Sequence, residues 1–327
     1  MTRTAKAIVA AAPGGPEVLQ LQDVDIPEPG PGQLLVKVAA TGVNFIETYE
    51  RSGTYKVAFP YTPGSEAAGT VVALGPGVDG SAGVGEGDRV AFSEGLRTYA
   101  EYALVPAEAA LPVPDGISDE VAAAIPLQGM TAHYLVNSTF VVGPEHTVLT
   151  HAGAGGVGLI LTQLIKAKGG RVITTVSSDD KAELARAAGA DEVLRYRGFP
   201  DRVRELTNGT GVDVVYDGVG RDTFDGSLAC LRKRGMMVLF GGASGQVPPF
   251  DLQRLNAGGS LFVTRPKLAD HLLTPKERRW RSADLFDAVL AGTLDIRIGA
   301  SYPLAEAARA HEDLQARRTT GKLLLIP

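Results

Sequence analysis

Cysteine is almost absent: Cys230 is the single one in 327 residues. One thiol excludes an internal disulfide framework and any zinc module built from several cysteines, and it suits a reducing compartment, with the cytoplasm as the default. Histidine is scarce too. The five (His133, His146, His151, His271 and His311) show no ligand spacing and are read as structural. No uncharged apolar run reaches the roughly 18 residues that a membrane span needs. Excess positive charge is also missing, since a net charge of −5 gives no general attraction to a phosphate backbone. The densest basic stretch, KERRWR at Lys276–Arg281, is read as a solvated helix start around a partly buried Trp280. The opening MTRTAKAIVAAAPGG has two basic residues and a short apolar run, but Pro13 and the glycines after it stop it too early for a signal peptide. It reads as a first strand.

What is present is enough for two cores. Before about residue 125, short alternating or apolar runs (LLVKVAATGV, GTVVALG, DRVAFS, YAEYALV) are punctuated by clusters such as PEPGPG. This pattern is β-rich and partly barrel-like. From about Pro144 the rhythm becomes strand, helix, strand, helix, with strands expected in VLTH, RVITTV, DEVLRY, GVDVVYDGVG, RGMMVLFGG and SLFVTRP. Six strands with helices between them imply a doubly wound, Rossmann-type parallel sheet. The division expected is 1–127, 128–265 and 266–327, the last segment returning to the first domain through the apolar ending KLLLIP.

The loop HAGAGGVG, His151–Gly158, holds G-x-G-x-x-G as Gly153, Gly155 and Gly158. Alone the pattern is weak, because the chain has 40 glycines. Its place between an apolar strand and a helix strengthens it, as a dinucleotide fingerprint requires. Missing side chains let backbone approach a pyrophosphate, and the helix end attracts its charge.

The second strand of such a unit ordinarily ends near a carboxylate that binds the ribose hydroxyls of NAD. Here VSSDDK, Val176–Lys181, stands there. Ser177 offers a hydroxyl, Lys181 a cation one turn into the next helix, and Tyr196 a donor from the side, a set that favours the 2′-phosphate of NADPH. Against this, Asp179 or Asp180 offers a carboxylate for the acidic role two positions late, but helix capping is the preferred reading of both.

Taken together, NFIETYERSGTY, PGSEAAGTVVALG, GVGEGDRVAF, HAGAGGVG, YDGVGRDTF and GKLLLIP resemble, from end to end, the quinone oxidoreductase (zeta-crystallin-like) branch of the medium-chain dehydrogenase/reductase superfamily. The resemblance implies a GroES-like catalytic domain made of the N-terminal portion and the C-terminal tail, a Rossmann domain inserted between them, an active-site cleft between domains, and a homodimer. Zinc-dependent relatives carry a Gly-His-Glu that here reads Gly64-Ser65-Glu66, and their first cysteine ligand falls in TGVNFIE, around Asn44. Neither replacement is a good zinc ligand, so zinc-independent chemistry is expected.

The activity implied is reduction of quinones by NADPH. The alternatives are reduction of activated carbon–carbon double bonds in enones or acyl thioesters, or a cofactor-binding structural or RNA-binding role. Asn44 and Tyr49 are the catalytic candidates: Asn44 to orient the carboxamide or the substrate oxygen, Tyr49 either to donate a hydrogen bond or proton or only to shape the cleft. By the same resemblance, Thr131 faces the nicotinamide, Gly155, Gly156 and Val157 meet the pyrophosphate, Phe240 and Gly241 follow the fifth strand, and Phe262 and Arg265 belong to the sixth. Arg265 is assigned to a phosphate or a subunit boundary. Gly218 departs from the serine common in relatives, and Cys230 is expected to be buried and inert.

Overall fold

The run VDVVYD at residues 212–217 is buried at every position but Asp213, which forces a strand covered on both faces. The computed structural model describes residues 3–79 and 83–327. In chain order it holds strands β1 (Thr4–Val9), β2 (Gln20–Asp25) and β3 (Gln33–Val43), helix α1 (Phe45–Arg51), and strands β4 (Ala67–Leu74), β5 (Arg89–Phe92), β6 (Tyr102–Pro106) and β7 (Leu111–Pro112). Helices α2 (Asp119–Ala124) and α3 (Pro126–Tyr134) follow. Strand and helix then alternate through β8 (Thr147–Thr150), α4 (Gly156–Ala167), β9 (Arg171–Val176), α5 (Asp179–Ala187), β10 (Glu192–Arg195) and α6 (Phe199–Leu206). Next come β11 (Val212–Asp217), α7 (Phe224–Cys230), β12 (Leu231–Leu239), α8 (Gln253–Ala257) and β13 (Phe262–Thr264). The chain closes with α9 (Pro275–Leu290), β14 (Ile298–Pro303), α10 (Ala307–Gln315) and β15 (Lys322–Ile326).

Two units result, Met1–Met130 with Leu273–Pro327 and Thr131–Leu272, and the division falls inside α3. The second unit is a six-stranded sheet in the order β10-β9-β8-β11-β12-β13, parallel throughout. The order reverses beside β8, and a doubly wound sheet binds ligands at such a switch point. Leu149, Ile173, Val215 and Met237 of the sheet pack against Phe199 and Val203 of α6 and Phe224 and Leu228 of α7. The six strands, one parallel sheet and intervening helices agree with the alternating rhythm of the sequence.

In the first unit β3 is central, antiparallel to β4, to β6 and to β15. The order is β14-β15-β3-β4-β5-β7, with β6 off this path beside β3. Leu34, Val36, Val38, Val71, Val90, Phe92 and Val105 form one core. The closing strand therefore completes a sheet begun about 280 residues earlier, with Leu323 opposite Val43. KERRWR does lie in the first turns of a helix, α9, capped by Thr274, but it is less solvated than expected. Arg278 and Arg281 are buried, Arg278 on the carboxylate of Glu94 (2.7 and 3.0 Å) and Arg281 over the Trp280 ring (4.7 Å).

A second polar cluster joins α1 to α10. Arg51 Nη1 lies 3.1 Å from His311 Nδ1, and Tyr99 Oη lies 3.0 Å from His311 Nε2. A guanidinium has no acceptor, so Nδ1 must accept from it, and Nε2 then carries the proton and donates to Tyr99. Burial, with Arg51 adding to it, pushes the His311 pKa from 6.5 down to about 3. The imidazole is neutral in the fold and titrates in the unfolded chain, so this contribution is complete above pH 6.5 and is lost as pH falls toward 3. Denaturant titrations across that window should show wild-type stability falling about 1.4 kcal/mol per pH unit faster than His311→Gln. Parallel curves would contradict a neutral, buried His311.

Candidate functional site

The glycine loop runs from the end of β8 into α4, and its glycines pack against Thr174 and the Ala152 backbone. A Cβ on Gly153 would meet Thr174 Oγ1 at 2.3 Å, and one on Gly158 would meet the Ala152 carbonyl oxygen at 2.3 Å. Gly153 closes the loop on β9, and Gly158 closes the helix start on the loop's own backbone. Gly155 meets only the Ala152 oxygen, at 3.2 Å, and is the N-cap of α4 with no side-chain cap. The first-turn amides, at Gly156, Val157 and Gly158, thus receive no side chain and are oriented for an anion. This cradle fits a dinucleotide pyrophosphate.

Ser177 is exposed just past β9, and Lys181 is half-buried in the first turn of α5. The capping expectation needs correcting. Ser178 caps α5, accepting from Lys181 N at 3.4 Å, whereas Asp179 pairs with Arg195 at the end of β10. Asp179 and Asp180 occupy the first turn without capping it. A serine hydroxyl reaches the N3 amide as well as a carboxylate does, and its position one residue earlier leaves the aspartates beyond the cap. Tyr196 lies against the glycine loop, its hydroxyl accepting from Ala152 N at 3.1 Å.

Past the switch strand, Asp217 ends β11 fully buried, and sequence reading missed it. It accepts from Val219 N (2.8 Å), Gly220 N (2.9 Å), Thr223 Oγ1 (2.7 Å) and Ser227 Oγ (2.9 Å), and Ser227 in turn meets His151 Nε2 at 2.9 Å. This carboxylate holds the turn after β11 in place. The spacing D-x-V-G-x-x-T was its only sequence signal. The turn lies close under Phe240: a Cβ on Gly218 would meet the Phe240 ring at 2.9 Å, and one on Gly241 the Gly218 oxygen at 2.6 Å. The absent serine at 218 thus makes room for an aromatic ring. Phe262 is 56% exposed on β13, Arg265 is exposed beyond it with Nη1 on the Pro266 oxygen (3.3 Å), and Thr131 is buried in α3.

The five histidines are structural in their contacts. His151 bridges Thr175 (2.7 Å) and Ser227, and burial lowers its pKa although Asp217 opposes the shift. His271 stacks on Tyr134 and His146 accepts from Gly143 N. His133 is buried. Cys230 is buried too, its thiol pushed up to about 12 by desolvation, which suppresses the reactive thiolate.

In the other unit, Asn44 begins α1 and is 5% exposed. Its Oδ1 accepts from Lys322 Nζ at 2.7 Å and its Nδ2 donates to Glu66 Oε2 at 2.9 Å, while Lys322 and Glu66 also pair directly. The second Glu66 oxygen accepts from Leu127 N at 2.7 Å. Glu47 completes the group. Its Oε2 accepts from Asn44 N at 2.7 Å, Oε1 has no partner, and burial, opposed by Lys322, pushes the carboxyl from 4.5 up to about 8. Burial thus favours the neutral carboxyl at Glu47, beside the ion pair of Lys322 and Glu66. Tyr49 lies on the same helix, half-buried, in an aromatic row with Phe45 (6.4 Å) and Tyr55 (5.4 Å).

The zinc of related enzymes does not fit these residues. The ammonium of Lys322 already stands between Asn44 and Glu66, and among the described residues no three His, Cys, Asp or Glu side chains gather around a common point. A cation is supplied by the chain itself.

Substituting Gly158→Ala tests the loop. Its Cβ meets backbone rather than a flexible side chain, so the loop must shift. NADPH affinity, read by titration of cofactor fluorescence, should drop about tenfold or more, the effect of displacing one or two amides from a bound phosphate. Unchanged affinity would remove the loop from the cofactor site.

Comparison with known proteins agrees with this geometry. Residues 30–115 match the alcohol dehydrogenase GroES-like domain, and residues 156–272 the zinc-binding dehydrogenase domain. The quinone oxidoreductase of Pseudomonas aeruginosa is 46% identical over 99% of this chain and 100% of its own. A mycobacterial protein whose structure was solved with NADPH is 52% identical, superimposes with a TM-score of 0.97, and is covered over 98% of this chain and 100% of its own. The 2-haloacrylate reductase of a Burkholderia species is 41% identical over 98% of both. End-to-end identity at this level, on a fold that joins a GroES-like sheet to a parallel dinucleotide-type sheet, places the chain in the quinone oxidoreductase branch of the medium-chain dehydrogenase/reductase superfamily.

Proposed function

We propose that this chain is an NADPH-dependent quinone oxidoreductase that works without zinc. The observation carrying the reading is the full-length likeness to a quinone oxidoreductase, joined to a glycine loop whose helix end has no cap and a second strand that ends in serine where NAD binders place a carboxylate. NADPH supplies the hydride. The chain's own residues bind, orient and polarise. The amides of Gly156 and Val157 hold the pyrophosphate, and Gly155, whose own N–H is spent on the Ala152 oxygen, lets the backbone approach it. Ser177, Lys181 and Tyr196 receive the 2′-phosphate, and Thr131, Phe240, Gly241, Phe262 and Arg265 border the remaining cofactor. Asn44 and Tyr49 serve the reacting ring. An electron-poor quinone accepts hydride without a Lewis acid, and the oxygen on which charge develops needs a fixed donor. Asn44 supplies one through Nδ2, and Tyr49 the polar wall beside it.

Reduction of an activated carbon–carbon double bond is the second reading, favoured by the 41% identity with a 2-haloacrylate reductase. Hydride delivery to an enone uses the same residues.

A homodimer is supported by β13, the outermost strand of its sheet, where Phe262 is 56% and Val263 37% exposed. Apolar side chains on an unpaired strand edge invite a second copy. A monomeric mass by light scattering at micromolar concentration would remove this. The single cysteine supports a cytoplasmic location, which fractionation of the native cells would check.

Initial rates with a naphthoquinone should be strongly NADPH-dependent. Lys181→Ala should raise the KM for NADPH about 10- to 100-fold, as loss of a charged phosphate contact does, and leave the KM for NADH unchanged. Equal use of both cofactors by the wild type would refute the role given to Ser177 and Lys181.

A further inference from the structure

The cluster around Asn44 does more than fill a core. An ammonium donates and accepts nothing, so the atom of Asn44 facing Lys322 must be the oxygen. An ionised carboxylate only accepts, so the atom facing Glu66 must be the nitrogen. Turning the amide over would set oxygen against carboxylate and NH2 against ammonium, two repulsive contacts in a buried site. Lys322 and Glu66 together therefore lock one orientation: Oδ1 accepts from the ammonium, one Nδ2 hydrogen goes to Glu66, and the second Nδ2 hydrogen is left for a ligand. Asn44 is thereby held with its amide nitrogen as the donor.

Several features of the chain serve this arrangement. Gly42 leaves the space, since a Cβ there would meet Glu66 Oε2 at 2.2 Å and Lys322 Nζ at 2.7 Å. Strand β15 carries Lys322 to the end of β3 by pairing Leu323 with Val43. The Asn44 backbone is held independently, through its N–H on Glu47. Glu66 is fixed at its other oxygen by the amide of Leu127 at the start of α3. Each member is thus anchored from a different element.

We infer that Lys322 is a positioning residue for the reaction: through the buried pair with Glu66 it fixes the Asn44 amide as a preorganised N–H donor for an oxygen of the reacting pair. This rests on the quinone reductase reading for the identity of that oxygen. A donor already oriented is worth most where negative charge appears during reaction, because no reorganisation is needed at that moment.

Removing Lys322 alone would leave a buried carboxylate unpaired and could unfold the unit, so the informative variant is Lys322→Met with Glu66→Gln, which keeps the site neutral. In this pair the melting temperature should stay near wild type and the KM for NADPH should change less than about threefold, while kcat falls about 10- to 100-fold, the range of a lost oriented donor. Placed on Asn44→Ala, the same two substitutions should change kcat by less than about twofold, because the residue through which they act is gone. Full recovery of kcat in the neutral pair, or a loss that adds in full on Asn44→Ala, would overturn the inference. A wild type that reduces no quinone would instead defeat the functional reading. The orientation is then decided by hydrogen exchange of the Asn44 side-chain amide in NMR spectra, assigned through Asn44→Ala. Slow exchange that is lost in the Lys322→Met/Glu66→Gln variant supports the inference, and exchange unaltered by those substitutions overturns it.

Discussion

The buried ion pair between Lys322 and Glu66 is the constraint on which the first unit depends. It ties the last strand of the chain to the strand order begun by β3, and it joins the start of α3 to the same carboxylate. Such pairs add little net stability over a well-packed apolar core, yet breaking one by removing a single partner costs about 3–5 kcal/mol. Specificity is what the pair supplies: a one-residue slip of β15 would take Lys322 off Asn44 and Glu66 and strand a charge in the core. The C-terminal tail thus has one register.

That constraint also bears on the chemistry proposed. A tethered ammonium occupies the position between Asn44 and Glu66, so the cluster carries its own cation and no soft donor for a metal. In the function proposed, catalysis rests on hydrogen bonding and the cofactor's hydride, a combination adequate for acceptors that are already electron-poor. The aromatic row of Phe45, Tyr49 and Tyr55 on and after α1 suits planar acceptors of that kind.

The parallel sheet was legible because its signals are local. RVITTV and VDVVYD are short runs rich in β-branched residues, and HAGAGGVG sits at the one junction where a dinucleotide loop belongs. The cap of α5 was misplaced by one or two residues, since SSDD offers four capping side chains in a row and only geometry shows that Ser178 faces the N3 amide. Asp217 was hidden in an apolar strand, where a carboxylate is credible only once its four donors are seen. The Asn44 cluster was half legible. Asn44 and Glu66 could be singled out by resemblance, but Lys322 lies 278 residues from Asn44 and reads in sequence as the polar start of a strand. Side chains that meet through tertiary pairing leave no periodic trace.

The proposal that the chain works without zinc, with the Lys322 ammonium between Asn44 and Glu66, is tested most directly by measuring metal content and activity on one preparation. Elemental analysis of the purified protein should give well under one zinc per chain, and NADPH-dependent quinone reduction should survive exhaustive chelation unchanged. One zinc per chain together with activity lost on chelation and restored by zinc would contradict the account.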